Sequence, residues 1–102
     1  MQKQGNAVFY CAFKLKKDAN AQEFLQAAEK LKNEFISKQQ GYVSWQHLHD
    51  GDTWADFIVF ETMEDVKTFE TNSEHEGDVA QHFYSFIDFD SIKQHYYVIE
   101  KQ

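Results

Sequence analysis

The stretch Gly41 to Glu61, GYVSWQHLHDGDTWADFIVFE, constrains the fold of this chain more than any other. Asp50-Gly51-Asp52 near its middle is a turn sequence that tolerates the positive φ of a tight hairpin, so the runs on either side read as paired antiparallel strands. Tyr42 to His49 mixes polar and apolar residues on both faces, whereas Ala55 to Phe60, ADFIVF, is nearly continuous apolar sequence. The first run is therefore expected at a sheet edge and the second inside the sheet.

Upstream, Ala7 to Leu15 places Phe9, Cys11, Phe13 and Leu15 on one face and Val8, Tyr10, Ala12 and Lys14 on the other. Both faces are largely apolar, which predicts a central strand with helices on one side and a second subunit on the other. Asn20 with Glu23 resembles a capping box for a helix running to about Gln39, with Phe24, Ala28, Leu31 and Phe35 inward. Gly41 is placed to end it in the left-handed conformation. After the hairpin, Thr62 with Asp65 caps a helix carrying Val66 and Phe69 inward, and Asn72 to Gly77 interrupts it. Ser73 with Glu76 suggests a new start for a second piece reaching about Phe86. Ser91 to Ile99 reads as the opposite edge strand. The order strand, helix, strand, strand, helix, strand is the split βαβ unit of a ferredoxin-like α+β sandwich, with strand order 4-1-3-2.

At 102 residues the chain has room for one domain, 1–102. Aromatics at 17% with no Pro and only 4 Gly describe packed regular elements rather than linkers. A net charge of -7 repels a phosphate backbone, so nucleic acid is not an expected partner. The N-terminal apolar run is broken by Lys14, far short of the ~20 residues of a membrane span. A cytoplasmic protein without membrane contact is expected, and the single Cys11 suits a reducing compartment.

Candidate chemistry rests on few residues. His47 and His49 project from one side of a strand, roughly 7 Å apart, but no third ligand stands nearby at zinc spacing; solvated edge-strand histidines are the favoured reading, and no metal is expected. His75, Val79, His82, Phe83 and Phe86 fall on one apolar helical stripe, where a neutral imidazole can accept a proton. The competing reading is a backbone-bonded core histidine with the other at the rim. Cys11 has no cationic neighbour in sequence and is read as a packed thiol. Trp45, Trp54, Tyr96 and Tyr97 suit either a flat aromatic cavity or ordinary core. Phosphate loops and nucleophile elbows are absent from the sequence.

WADFIVFETMEDVKTFE and the broken NSEHEGDVAQHFYSFID give the chain, over about residues 7–99, a pattern that resembles the dimeric α+β barrel superfamily and within it the antibiotic-biosynthesis-monooxygenase-like proteins. The resemblance implies a homodimer with two sheets facing each other and a ligand cavity between sheet and helices in each subunit. Members that oxidise polycyclic phenols need no flavin or metal: the cavity holds the substrate, assists its deprotonation and lets the anion react with oxygen. On that basis His75 or His82 is the expected base, Trp54, Phe69 and Phe83 are cavity walls, the ligand is a small aromatic, and no cofactor is needed. The haem-degrading branch uses an Asn that falls here near Cys11 or Ala12 and a Trp that falls on Phe69, which argues against that chemistry. The alternative is a dimer that binds a small molecule without catalysis.

Overall fold

The computed structural model describes residues 6–73 and 77–100. It contains β1 (Ala7–Leu15), α1 (Ala21–Glu34), β2 (Tyr42–Asp50), β3 (Thr53–Phe60), α2 (Met63–Ser73), α3 (Asp78–Tyr84) and β4 (Ile87–Val98). The strands form one antiparallel sheet in the order β2-β3-β1-β4, with the two apolar strands inside as their sequences require. This is the ferredoxin-like arrangement. Gly51 alone supplies the positive φ (61°) of the two-residue loop between Asp50 and Thr53.

Helix α1 starts where its cap predicts, the Asn20 side chain accepting the Glu23 N–H at 3.0 Å. It stops at Glu34 rather than Gln39, because Phe35 leaves helical geometry (φ -133°) and a 3-10 turn over Ile36–Lys38 follows. The register change swings Phe35 to a half-buried position and puts Ile36 in the core, so the inward stripe is Phe24, Ala27, Ala28 and Leu31, completed by Ile36. Gly41 then takes φ 80° with its α-carbon against α2; a Cβ there would lie 2.0 Å from Asp65 Oδ2. Thr62 Oγ1 accepts the Asp65 N–H and starts α2, which buries Val66 and Phe69.

The second helical region departs from expectation. Helix α3 begins at Asp78 after Gly77, with no side-chain cap, and Glu76 of the suggested capping box lies outside the described residues. It turns Ala80 and Phe83 into the core and leaves His82 exposed. Strand β4 starts at Ile87, four positions before Ser91, and slips register against β1 between Ala12 and Lys14.

Helices cover one face of the sheet. There Phe24 of α1, wholly buried, meets Phe13, Trp54, Phe83 and Phe86 at centroid distances of 5.2–6.1 Å. The other face carries Val8, Tyr10 and Ala12 of β1 opposite Val59, Phe57 and Ala55 of β3, and among the described residues no helix packs on it. Among the described residues no helix is long and apolar enough to cross a membrane.

Candidate active site

The pairing registers bring one residue from each strand onto a single line across the helix-covered face. His47 of β2 pairs with Asp56 of β3, Asp56 with Cys11 of β1, and Cys11 with Gln94 of β4. The flanking rungs are aromatic or apolar: Trp45, Ile58, Phe9 and Tyr96 on one side, His49, Trp54 and Phe13 on the other, with His49 and the Tyr96 phenol the ionisable members. Gln94 is exposed and His47 and Cys11 are half-buried, but Asp56 is buried, and a buried carboxylate opposes folding unless it is paired or serves a purpose.

Above Asp56, Cys11 and Gln94 lies a cavity of about 580 Å³, within the roughly 300–1,000 Å³ typical of small-molecule sites. Phe9, Phe13, Trp45, Phe69 and Phe83 give it aromatic walls, while Lys67 and Glu70 of α2 and Tyr84 of α3 add polar groups. Tyr96 donates its hydroxyl to Glu70, tying β4 to α2 beside this wall, and that carboxylate holds the phenol pKa up at about 12.

Asp56 is the unusual group. It is only 6% exposed, in the middle of an apolar strand. Its Oδ1 accepts the Trp45 Nε1–H at 3.2 Å and lies 3.0 Å from His47 Nδ1. The imidazole contact is electrostatic in character, since Nδ1 is buried without an aligned hydrogen-bond partner. Among the described residues no donor engages Oδ2. Burial drives the Asp56 pKa above the ordinary carboxylate range, and His47 and then Trp45 pull it partway back. Cys11, opposite on β1, is pushed up to about 12, first by burial and then by the negative charge of Asp56. The thiol is thus kept protonated, as the packed-thiol reading requires.

Of the residues singled out from sequence, Phe69 and Phe83 line the cavity. Trp54 does not: its ring packs on Phe24 and stacks on His49, 4.1 Å between centroids. His82 is outside the lining, exposed and edge-on to Phe86 at 5.1 Å, because α3 turns Ala80 and Phe83 inward and leaves His82 beside that buried face. His75 lies outside the described residues. His47 and His49 do share a face, but it is the helix-covered one, and His47 is half-buried against Asp56 rather than solvated. Among the described residues no three His, Cys, Asp or Glu side chains gather as metal ligands.

Sequence reasoning missed Asp56, although two signals point to it. Alternation along ADFIVF sets it on the face of Ile58 and Phe60, and counting back from a two-residue hairpin loop pairs it with His47.

No protein-family model matches the sequence, and no curated protein matches it. Solved structures share the fold. SnoaB, a cofactor-independent oxygenase from Streptomyces nogalater, superposes with a TM-score of 0.73 at 10% identity over 96% of each chain. The ActVA-Orf6 monooxygenase of Streptomyces coelicolor, solved with the ligand nanaomycin D, gives 0.72 at 12% identity, covering 96% of this chain and 90% of that one. A dimeric ferredoxin-like protein from an uncultured marine organism gives 0.70 at 8% identity, covering 97% and 91%. At such identities the likeness establishes the ferredoxin-like fold, which these proteins and this chain have in common.

Proposed function

We propose that this chain is a cofactor-independent monooxygenase for a small electron-rich hydroxyarene, bound between the sheet and the helices. The observation that carries this reading is Asp56: a buried carboxyl with one oxygen uncommitted at the floor of an aromatic cavity. A group so placed can take the proton of a ligand hydroxyl, and its raised pKa makes it a stronger acceptor than an exposed carboxylate. The resulting anion is electron-rich enough to reduce dioxygen, the oxidant. With an activated methylene beside the ring, one methylene and one dioxygen give one ketone and one water. A carbon–oxygen double bond replaces the two C–H bonds, the second oxygen atom leaves as the water, and the substrate supplies the electrons. Phe69 and Phe83 hold the ring system, and Gln94 offers a hydrogen-bonding amide at the far end of the polar row.

The same reading includes a homodimer joined through the outer sheet face. Tyr10 and Phe57 there are only half-buried, and Leu48 and Tyr97 are exposed. An apolar face of this kind is suited to a second copy, and the marine protein of the same fold is itself dimeric.

Dithranol, a hydroxyanthrone, is a suitable probe. Oxygen uptake with saturable kinetics is expected from the wild type, and Asp56→Asn should lower kcat by about 10²-fold or more. Dithranol binding without oxygen uptake would favour the non-catalytic binding reading, and no binding would overturn both. His75 remains the rival base from the sequence; His75→Ala in the same assay decides between it and Asp56.

A further inference from the structure

We propose that His47 is the solvent-side half of a proton relay with Asp56, so that a proton taken from a cavity hydroxyl leaves through the imidazole and not through the cavity mouth. This rests on the reading that the cavity binds a hydroxyarene.

Three observations support it. First, His47 Nδ1 and Asp56 Oδ1 are 3.0 Å apart, while Oδ2 is the oxygen left for a ligand. The carboxyl thus has one edge toward the cavity and one toward the histidine. Second, the imidazole crosses the protein wall: Nδ1 is sealed from water, yet the side chain as a whole is 23% exposed. Its exposed atoms therefore lie away from Asp56, and β2 is an edge strand with no strand beyond it. Third, the ring is held from both sides, by Trp45 at 4.7 Å and Phe24 at 6.1 Å between centroids. A small ring rotation within that slot aligns Nδ1 with Oδ1.

The other ionisable groups of the cavity come from different elements: Cys11 from β1, Lys67 and Glu70 from α2, and Tyr84 from α3. Trp45 also touches the carboxyl, but an indole N–H only donates. Among the described residues His47 is the titratable side chain within ion-pair distance of Asp56, and Cys11, opposite it on β1, feels the carboxylate charge.

The proton balance is simple. Asp56 Oδ2 takes the ligand proton and leaves an aryloxide. The protonated carboxyl then turns about its Cβ–Cγ bond and gives that proton to Nδ1 of the neutral ring, and the resulting imidazolium loses its Nε2 proton to water, leaving the Nδ1–H tautomer. One proton moves from ligand to solvent, and no electron moves. Without an exit separate from the ligand, the proton would stay beside the aryloxide and return to it before oxygen reacts.

The test uses wild type, His47→Gln and His47→Ala, each first checked for a folded melting transition. Without ligand, isotope-edited NMR follows the Asp56 carboxyl and the His47 ring against pH. In His47→Gln the Asp56 midpoint should shift to higher pH than in the wild type, because the imidazole contact that favours the carboxylate is gone. With dithranol, His47→Gln should lose up to about 10²-fold in kcat with KM unchanged, and added imidazole should restore the rate of His47→Ala. An unmoved Asp56 midpoint, or a His47→Gln enzyme with wild-type kcat, overturns the relay. If the wild type itself consumes no oxygen, the monooxygenase reading fails, and the Asp56–His47 proton link is then judged by the titration alone.

Discussion

The two faces of the sheet use the same strands in opposite ways. On the outer face the middle of the central strands carries Val8, Tyr10, Ala12, Ala55, Phe57 and Val59, all without formal charge, while Lys14 stands near the end of β1 and the ionisable Lys93 and His95 sit on edge strand β4. On the helix-covered face the central strands carry Asp56 and Cys11 at mid-sheet, enclosed by aromatic rungs. The outer face keeps its centre free of groups that resist drying. The helix-covered face places an ionisable group where drying changes its behaviour.

The contrast breaks most severely at Phe24, whose ring joins α1, α3 and the sheet on the inner face. Phe24→Ala should cost about 3–5 kcal/mol, close to the whole stability of a small domain. Urea denaturation measures it. Phe35→Ala, at a half-buried site beside the kink, should lose clearly less; equal losses would mean that the end of α1 is packed differently.

Asp56→Asn sharpens the contrast, because it should damage function while helping the fold. The Asp56 pKa is raised in the folded chain, so its contribution to stability is intact below the ordinary carboxylate value of about 3.9 and is lost as pH rises through the folded value. Asn has no charge to acquire. The variant should therefore melt above the wild type at neutral pH and lose that advantage in acid, as melting curves across pH would reveal; a lower melting temperature at neutral pH contradicts the assignment of Asp56 as a strained group.

On the outer face, Tyr10→Lys puts a charge into the proposed interface and should weaken association by at least about 2 kcal/mol. Light scattering should then report a 12.1 kDa monomer where the wild type is dimeric. A wild type that is already monomeric at micromolar concentration breaks the comparison. The smallest effect is expected at His82, where His82→Ala should change stability by within about 0.5 kcal/mol and leave dithranol turnover unaltered.

The architecture was legible because it depends on signals that repeat. Alternation in β1 and ADFIVF, the Asp50-Gly51-Asp52 turn and the caps at Asn20 and Thr62 all agree on one strand order. Those signals weakened where the chain changes phase without a marker. Nothing in Glu34-Phe35-Ile36 announces the shift to 3-10 geometry, and within α3 the stripe through Val79, His82 and Phe83 lies to one side of the face actually buried, that of Ala80 and Phe83. The site was half legible: Phe69 and Phe83 follow from helix periodicity, whereas the meaning of Asp56 depends on a partner across the hairpin, His47. A lone acid in an apolar run looks like noise until pairing supplies His47 and Trp45.

The polar row draws one residue from each of the four strands on a single rung. Side chains alternate between faces, so sliding any strand by one position would withdraw its member to the opposite face. A chain with β2 slipped against β3 would set Gln46 or Leu48 opposite Asp56 and leave its carboxyl without His47. The row is therefore an internal check on strand alignment: misaligned forms bury an uncompensated acid, and the residues that meet beneath the cavity in the native sheet also penalise its nearest misfolded competitors.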